Sequence, residues 1–216
     1  MAENKGVILT RPAQIIFTGW DGNCPTGAFM RPNKRAELIR KSLDLFYRNG
    51  FHATGMDLVA AETGVSKTSI YKHFRSKEEL ILAVLQLRDE DFRGWLFQRL
   101  EELADTPRGQ LEALFDALGE WFEQPGFQGC MFIKASAEYQ AGEDPINMQS
   151  AGHKRLLQEH FAGLAAKAGA QEPAALARQL MILKEGAIVL AAMNHSPAPA
   201  GDGRQAALAL IDLAIR

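Results

Sequence analysis

Apolar residues recur every three or four positions along most of this chain, the spacing that places them on one face of an α-helix. The pattern starts after Met30 and continues to the end of the 216-residue sequence, and no stretch alternates as a half-buried strand does. Prolines and glycines divide it into about nine helices. The sequence therefore predicts an all-α fold.

Residues 1–30 lack this spacing, because glycine and proline interrupt two short apolar runs that could form strands. We predict an irregular N-terminal extension here. Two alternatives stay open for it. Either Met30 is the physiological start of the protein, or the extension is an arm beside the unit that follows.

The second and third predicted helices are short and are separated by a tight turn. Thr54 and Asp57 form a capping box at the start of the second helix, and Gly64 ends it in a left-handed conformation. Ser66 then caps a third helix over residues 67–74. Two short helices joined by a turn of about four residues are typical of the helix-turn-helix that binds DNA.

The third helix is too short to be stable alone, so Ile70 and Phe74 must pack against its neighbours. Its remaining surface carries side chains that can donate hydrogen bonds to bases and phosphates: Lys67, Thr68, Ser69 and Lys72. Ser76 and Glu79 then form a second capping box, which begins a long fourth helix that ends near Pro107.

The distribution of charge supports a DNA-binding unit near the N-terminus. The net charge of the whole chain is −2, which taken alone argues against a nucleic-acid-binding protein. Residues 31–80, however, carry ten basic and six acidic residues, and the acidic excess lies in the remainder. We therefore expect residues 31–80 to approach phosphates and residues 81–216 to form a second, helical unit.

The stretch from Arg35 to Ile81 resembles, without a gap, the DNA-binding domain of the TetR family of repressors. The matching elements are Phe51 and Thr54 before the second helix, Gly64-Val65-Ser66 in the turn, Ile70-Tyr71 and His73-Phe74 in the third helix, and Ser76 to Leu80 at the start of the fourth. Gly55 departs from the residue more usual after the threonine. The resemblance implies a three-helix helix-turn-helix domain that binds a double-stranded DNA operator.

The resemblance also implies a role for each matching position. The residues at the positions that read or flank bases are Lys67, Thr68, Ser69 and Lys72. Tyr71 and His73 would reach the phosphate backbone, and Thr54 and Lys77 would anchor neighbouring phosphates. Structural alternatives remain open at this point, since Tyr71 could be a core aromatic residue, His73 a packing or capping histidine, and the lysines a solvated surface.

The remaining chain resembles the ligand-binding and dimerisation domain of the same family in its helical layout and in the segment GCMFIKASAEY. In the family, helices four to seven enclose a ligand cavity and the last two form a homodimer. The implied pocket residues are Trp95, Phe115, Trp121, Phe122, Phe132, Tyr139 and His153. The implied dimer interface lies on helices over residues 173–194 and 204–216, at Leu180, Leu183, Ala187, Leu190, Ala191, Ala207, Leu210 and Ile211.

An aromatic stripe at helical spacing is more often core than cavity lining, so a packed core is the alternative for the pocket residues. The predicted fifth helix is rich in Trp and Phe and has no basic residue from Leu111 to Phe122, which favours an apolar or aromatic effector. Cysteine usage, the absence of a leader pattern and the short apolar runs favour a cytoplasmic protein without membrane contact.

These observations favour a ligand-responsive repressor that binds a palindromic operator as a dimer, without enzymatic activity. One alternative is an architectural or protein-binding helix-turn-helix protein, and another is an enzyme that uses Cys130 and His153. We expect Cys130 to be buried and inert, because Met131, Phe132 and Ile133 follow it. No metal site or cofactor is expected, since the histidines share no ligand spacing and no Gly-rich phosphate loop is present.

Overall fold

A computed structural model describes residues 33–215 of the chain, and these residues form ten α-helices and no strand. The helices are α1 (Lys34–Asn49), α2 (Met56–Thr63), α3 (Lys67–His73), α4 (Lys77–Leu103), α5 (Pro107–Glu112), α6 (Leu114–Phe122), α7 (Met131–Glu138), α8 (Pro145–Lys167), α9 (Pro173–Asn194) and α10 (Ala198–Ala214). The all-α prediction is confirmed. The predicted N-terminal extension lies outside the described residues, and so does Met30, the alternative physiological start.

The predicted fifth helix is divided into α5 and α6. The division falls at Ala113, whose backbone keeps a right-handed helical conformation with φ −74° and ψ −10°. The amide of Ala113 still donates to the carbonyl of Gly109. The interruption is therefore brief, and the prediction of about nine helices differs from the structure by this one break.

The last helix begins earlier than the sequence indicated. We predicted a loop from Ser196 to Gly203, but α10 starts at Ala198. Pro199 lies in its first turn, where a backbone N–H has no partner inside the helix, so proline is tolerated there. Gly203 does not mark a loop. It allows α10 to pack closely, because a Cβ at this position would lie 2.5 Å from the ring of Phe115.

The ten helices pack as two groups that share α4. In the first group, α1 packs on both α2 and α4, and the aromatic rings of Phe46, Phe51 and Phe74 are fully buried between them. In the second group, α8 lies against α4, α5, α7 and α9, while α10 packs on α9, α6 and α5. Because α4 contributes to both groups, it connects the helix-turn-helix directly to the larger bundle.

Within residues 33–215, no helix is both long and apolar enough to cross a membrane.

Candidate functional site

The turn between α2 and α3 is held by a small set of hydrogen bonds. Gly64 adopts the predicted left-handed conformation with φ 71°. The hydroxyl of Thr63 donates to the carbonyl of Val59 over 2.7 Å, and Lys41 of α1 donates to the carbonyl of Thr63 over 3.1 Å. The turn is thereby fixed to the first helix, which sets the angle at which α3 leaves it.

The helix α3 is anchored at one end by a cap and on one side by the core. The hydroxyl of Ser66 accepts from the amide of Ser69 over 3.2 Å, as the sequence predicted. Ile70 is fully buried and Phe74, immediately after the helix, is 1% exposed. With its apolar side held in this way, the opposite side of α3 faces outward.

The predicted DNA-contacting residues of α3 lie on this outward side. Lys67, Thr68, Tyr71, Lys72 and His73 are exposed, and Ser69 is half-buried. Tyr71 is 45% exposed, which excludes the alternative of a core aromatic residue. The exposure of His73 likewise excludes a packing histidine.

Two of the predicted cations have neighbours within the chain. Lys67 forms an ion pair with Asp57 of α2 at 2.8 Å, and this pair raises the pKa of Lys67. Lys77, at the first turn of α4, donates to the carbonyl of His52 over 3.3 Å. Both ammonium groups keep further donors for a phosphate, because an ammonium carries three.

The structure corrects the predicted cap of α2. Thr54 does not cap this helix, because its hydroxyl donates backwards to the carbonyl of Gly50 over 2.7 Å and Gly55 occupies the N-cap position. Asp57 forms the ion pair with Lys67 instead of reaching back to the cap. Thr54 is fully buried, so its side chain has no exposed atom for the phosphate contact that the resemblance implied.

The predicted capping box of α4 forms with one change of partner. The hydroxyl of Ser76 accepts from the amide of Glu79 over 3.2 Å, as expected. The carboxylate of Glu79 accepts from the amide of Arg75 over 2.6 Å, and thus from the residue before the cap. The remaining amides at this helix start and the ammonium of Lys77 are donors of the kind that bind phosphate at helix N-termini.

A small cavity lies inside the larger bundle and has space for about one water molecule. It is lined by residues from α4, α6, α7, α8 and α9: Arg88, Phe92, Trp121, Cys130, Met131, Phe132, His153, Lys184 and Ile188. Trp121, Phe132 and His153 are the predicted pocket residues that the structure brings together here.

The other predicted pocket residues do not line the cavity. Trp95 packs beside it, with its ring centroid 5.6 Å from that of Phe92, and Phe122 packs on Phe127 at 5.0 Å. Phe115 is buried under α10 at Gly203, and Tyr139 stacks on His52 at 4.7 Å, next to the helix-turn-helix. These aromatic residues recur at the helical spacing expected of a pocket lining, but their rings pack against other elements of the fold instead of lining the cavity.

The sequence analysis missed the two cations of the cavity wall. Arg88 is 6% exposed and Lys184 is 1% exposed, and both lie on the buried stripes of their helices, α4 and α9. A cation inside an otherwise apolar stripe is the signal that could have revealed these positions, because buried cations need partners or a ligand.

His153 is buried and neutral at physiological pH. Its Nδ1 lies 2.6 Å from Asp89 Oδ1, and its ring stacks on Phe132 with the centroids 3.7 Å apart. Burial lowers the pKa of His153 to about 4, with Lys154 and Lys184 adding to the effect and the hydrogen bond to Asp89 opposing it. Nδ1 therefore donates its proton to Asp89, and Nε2 is left as an acceptor.

Cys130 is buried, as predicted, but its surroundings are not apolar. Its sulfur accepts from the ammonium of Lys154 over 3.2 Å, and Lys154 also donates to Glu185 over 2.6 Å. Lys184 donates to the other oxygen of the same carboxylate over 2.8 Å. The thiol thus belongs to a cluster of two ammonium groups and one carboxylate.

The helix α7 connects the cavity to the helix-turn-helix. Its first residues line the cavity, whereas Glu138 at its end accepts from the amides of Phe51 and His52 over 2.8 and 2.5 Å. Lys134 donates to the carbonyl of Tyr47 over 3.0 Å. The hydroxyl of Tyr47 donates to the carbonyl of Gly129, at 2.8 Å. A shift of α7 would therefore be transmitted to the end of α1.

The structure also corrects the predicted dimer interface. Leu180, Ala187, Ala191, Ala207 and Ile211 are buried within the chain itself, and Leu183 and Leu210 are half-buried. These helices are apolar on two sides, and the spacing alone did not show which side faces inward. Of the predicted residues Leu190 is exposed, and it belongs to an outward apolar surface on α9 and α10: Ile182, Val189, Leu190, Met193 and Leu213.

Comparison with known proteins places these features in one family. A family profile described as "Bacterial regulatory proteins, tetR family" matches residues 38–84. The chain is 38% identical over 98 residues to the HTH-type transcriptional activator FasR of Mycolicibacterium smegmatis, a match that covers 44% of the chain and 45% of FasR. It is 35% identical over 82 residues to the repressor KstR2 of the same organism, covering 38% of each protein. The matches thus span less than half of either relative.

The structural similarity to known proteins covers more of the chain than the sequence similarity does. A TetR-family transcriptional regulator from Streptomyces coelicolor matches with a TM-score of 0.78 and 26% sequence identity, over 85% of this chain and 96% of that one. The solved structure therefore shares the helix-turn-helix and the larger helical bundle.

A helix-turn-helix with an exposed polar third helix, joined to an all-helical bundle, defines a DNA-binding transcriptional regulator. Residues 38–84 therefore carry the DNA-binding domain of the TetR family, and the described chain as a whole has the fold of a regulator of that family. Members of the family are regulators and not enzymes, which overturns the alternative of an enzyme that uses Cys130 and His153.

Proposed function

We propose that this protein is a ligand-responsive repressor that binds a palindromic operator as a homodimer in the cytoplasm. The observation that carries the proposal is the outward polar side of α3, where Lys67, Thr68, Tyr71 and Lys72 are exposed on a helix fixed by its cap and its apolar side. Residues 31–80 would form the DNA-binding unit, and residues 81–216 the sensing and dimerisation unit.

In this proposal α3 enters the major groove, and each exposed residue has a role. The base edges are read by Lys67, Thr68, Ser69 and Lys72. Tyr71, His73 and Lys77 contact phosphates, which fixes the register of the protein without reading sequence. Thr54 holds the loop before α2 from inside, through its hydrogen bond to Gly50, and contributes to DNA binding only through that loop.

The homodimer would form through the outward apolar surface of α9 and α10. Large apolar side chains in a contiguous exposed group are typical of an interface, and here Ile182 and Met193 are 72% and 71% exposed. Docking of the dimer in two successive major grooves would require its two copies of α3 to lie about 34 Å apart, which is one turn of DNA.

Small-molecule control would act through the cavity. The apolar and aromatic walls favour an effector with an apolar or aromatic body. Effector binding would favour a conformation with a different spacing of the two α3 helices, so that effector and operator weaken each other's binding. The two relatives compared above include an activator and a repressor, and the sign of regulation is part of this proposal.

Two substitutions test the proposed docking on DNA. Lys72→Ala should reduce the difference in affinity between the preferred operator and its single-base variants. Lys77→Ala should weaken binding to all of these sequences by a similar factor and reduce the slope of log affinity against log salt by about one. The affinities are measured by fluorescence anisotropy at several salt concentrations.

Lys167→Ala is the matched control, because Lys167 is exposed at the end of α8 in the other group of helices. It should leave both quantities unchanged. If Lys72→Ala and Lys77→Ala bind the operator as well as the unmodified protein does, α3 does not dock as proposed.

A further inference from the structure

The imidazole of His153 is held in one orientation in the cavity wall. His153 is 3% exposed and lines the cavity. Its ring stacks on Phe132, with the centroids 3.7 Å apart, and the ring of Phe92 lies at 63° to it at 5.8 Å. Because neighbouring rings pack on it in this way, the imidazole does not turn freely, and each of its nitrogens has a defined direction.

The position of the proton on this ring follows from Asp89. Nδ1 of His153 lies 2.6 Å from Oδ1 of Asp89. Burial opposes the ionisation of Asp89, but hydrogen bonds from His153 and Arg93 outweigh it and lower the pKa of Asp89 to about 2. An ionised carboxylate can only accept, so Nδ1 is the nitrogen that carries the proton. Since the ring is neutral, Nε2 is a bare acceptor.

Nε2 of His153 faces the cavity. No group among residues 33–215 donates a hydrogen bond to it. Nor is Nε2 one of the polar side-chain atoms of this part of the chain that are completely sealed off without a partner. It therefore keeps a small accessible surface, and the space beside His153 is the cavity. A buried acceptor without a partner favours a ligand that donates a hydrogen bond.

The rest of the cavity wall is apolar or carries hydrogens. Its apolar residues are Phe92, Trp121, Met131, Phe132 and Ile188. The sulfur of Cys130 already accepts from Lys154, and the nitrogens of Arg88 and Lys184 carry hydrogens in any state of charge. A hydroxyl both donates and accepts, so it suits this wall better than a carboxylate, which cannot donate to Nε2.

We propose that the cavity binds an uncharged molecule with an apolar body and a hydroxyl group, and that the hydroxyl donates to Nε2 of His153 while the body packs against Trp121 and Ile188. The inference rests on the proposed effector function and specifies the chemistry of the effector. A hydroxyl at Nε2 supplies the one hydrogen bond that the fixed imidazole does not make within the protein.

The size of the cavity limits the ligand. The cavity has room for about one water molecule, so the side chains around it must move apart as a larger molecule enters. Met131 can make space by changing rotamer, because its side chain is unbranched. Short-chain and single-ring hydroxyl compounds therefore fit this site better than long or multi-ring ones do.

Binding at Nε2 would act on the contact between α8 and α4. A donor on Nε2 polarises the imidazole and strengthens the hydrogen bond from Nδ1 to Asp89 of α4. Arg93, one turn further along α4, donates twice to the same carboxylate and keeps it in place. The bound hydroxyl would thus tighten α8 against the helix that begins at Lys77.

The first test compares matched aromatic probes on the full-length protein. Benzyl alcohol and anisole are isomers, of which only the alcohol can donate a hydrogen bond, and phenol and toluene differ by a hydroxyl in place of a methyl group. Calorimetry measures binding, and anisotropy measures release of operator DNA. Each hydroxyl compound should bind about tenfold or more tightly than its partner, although toluene is more hydrophobic than phenol. Benzoate should bind more weakly than benzyl alcohol.

Nitrogen NMR of isotope-labelled histidine reads the two ring nitrogens directly. Without ligand, the signals of His153 should show a proton on Nδ1 and none on Nε2. Benzyl alcohol should move the Nε2 signal upfield, as a hydrogen bond to this atom requires, and anisole should not. A proton on Nε2 in the free protein would overturn the inference without any substitution.

One variant assigns the preference to His153. His153→Phe removes the acceptor and keeps a ring to stack on Phe132, so the preference for benzyl alcohol over anisole should fall by about tenfold or more. His160→Phe is the matched control, because His160 lies on the same helix and stacks on Phe97 at 3.6 Å but does not line the cavity. It should leave the preference unchanged.

The outcomes separate this inference from the proposed function. The assignment to Nε2 is wrong if anisole or benzoate binds as tightly as benzyl alcohol, or if His153→Phe, folded by circular dichroism, keeps the preference. It also fails if neither hydroxyl compound binds at millimolar concentration. In each of these cases a different molecule that releases the operator would uphold the proposed function. Binding with the expected preference but without release of DNA would support the site and contradict control through the cavity.

Discussion

His153 shows how one buried side chain links the stability of the fold to pH. Its pKa is held at about 4 in the folded protein, below the ordinary value of 6.5, chiefly because it is buried. Between pH 6.5 and 4 the unfolded chain therefore binds a proton that the folded chain does not. The contribution of His153 to stability is present above this window and is lost as the pH falls through it.

We expect acidification from pH 7 to pH 4.5 to reduce the free energy of unfolding by about 2 kcal/mol through this residue. His153→Gln removes the titrating group, so its own loss over the same range should be smaller by that amount. Urea unfolding of both proteins at the two pH values measures the difference. Equal losses in the two proteins would show that other groups are responsible.

At the scale of the residue, sequence analysis succeeded where a role depends on local chemistry. Ser66 and Ser76 are caps because of their position before a helix, and both were predicted. It failed at Thr54, whose partner Gly50 lies one turn back, and at Arg88 and Lys184, whose burial depends on the helices packed around them. The hydroxyl of Thr54 could bond either to the amides at the start of α2 or to the carbonyl of Gly50. Tertiary packing selects the bond to Gly50.

At the scale of the element, the contact between α7 and α1 depends on one carboxylate. Glu138 accepts from the amides of Phe51 and His52, and its Oε2 lies 2.9 Å from Nδ1 of His52. A glutamine in its place presents an NH2 group to one of the two amides, so one hydrogen bond is lost and two donors meet.

We therefore expect Glu138→Gln to lower the free energy of unfolding by about 1–3 kcal/mol and to reduce the effect of effector on DNA affinity. Hydrogen exchange at the amides of Phe51 and His52 should accelerate in this variant. Glu143→Gln changes an exposed residue a short distance along the chain and is the matched control. If exchange at both amides stays unchanged in Glu138→Gln, this contact does not hold α7 to α1.

Element boundaries followed from the sequence where a cap or a left-handed glycine marks them. The end of α2 at Gly64 is an example. The start of α10 was missed because its prolines and glycines are typical of loops, although proline fits a first helical turn and Gly203 fits a close contact. Composition alone does not distinguish a proline in a first helical turn, or a glycine at a close contact, from the same residues in a loop.

At the scale of the whole molecule, the outward surface of α9 and α10 determines the oligomeric state that we propose. Ile182→Glu would place a charge in the proposed apolar interface, and two-fold symmetry would introduce it twice. We expect the dimer to dissociate at least 100-fold more readily, about 3 kcal/mol, and operator affinity to fall with it. Analytical ultracentrifugation measures the dissociation.

Met148→Glu is the control, because Met148 is a large apolar residue that is also exposed, at 59%, but lies on α8. It should leave the dimer intact. A monomeric unmodified protein at micromolar concentration would contradict the proposed interface. The sequence prediction and this proposal use the same pair of helices, but most of the residues predicted from the sequence lie on the inward sides of these helices, since both sides of α9 are apolar.

The length of α4 has a further consequence. This helix runs without interruption from Lys77, beside the proposed phosphate contact, past Arg88 at the cavity. The eleven steps along the helix from Lys77 to Arg88 span about 16 Å at about 1.5 Å each. A tilt of about 5° at the cavity would move the Lys77 end by about 1.4 Å, and in a dimer both ends would move. If a small ligand causes such a tilt, as the proposed function requires, α4 would carry the movement to both DNA-binding surfaces and change their spacing relative to one turn of the DNA.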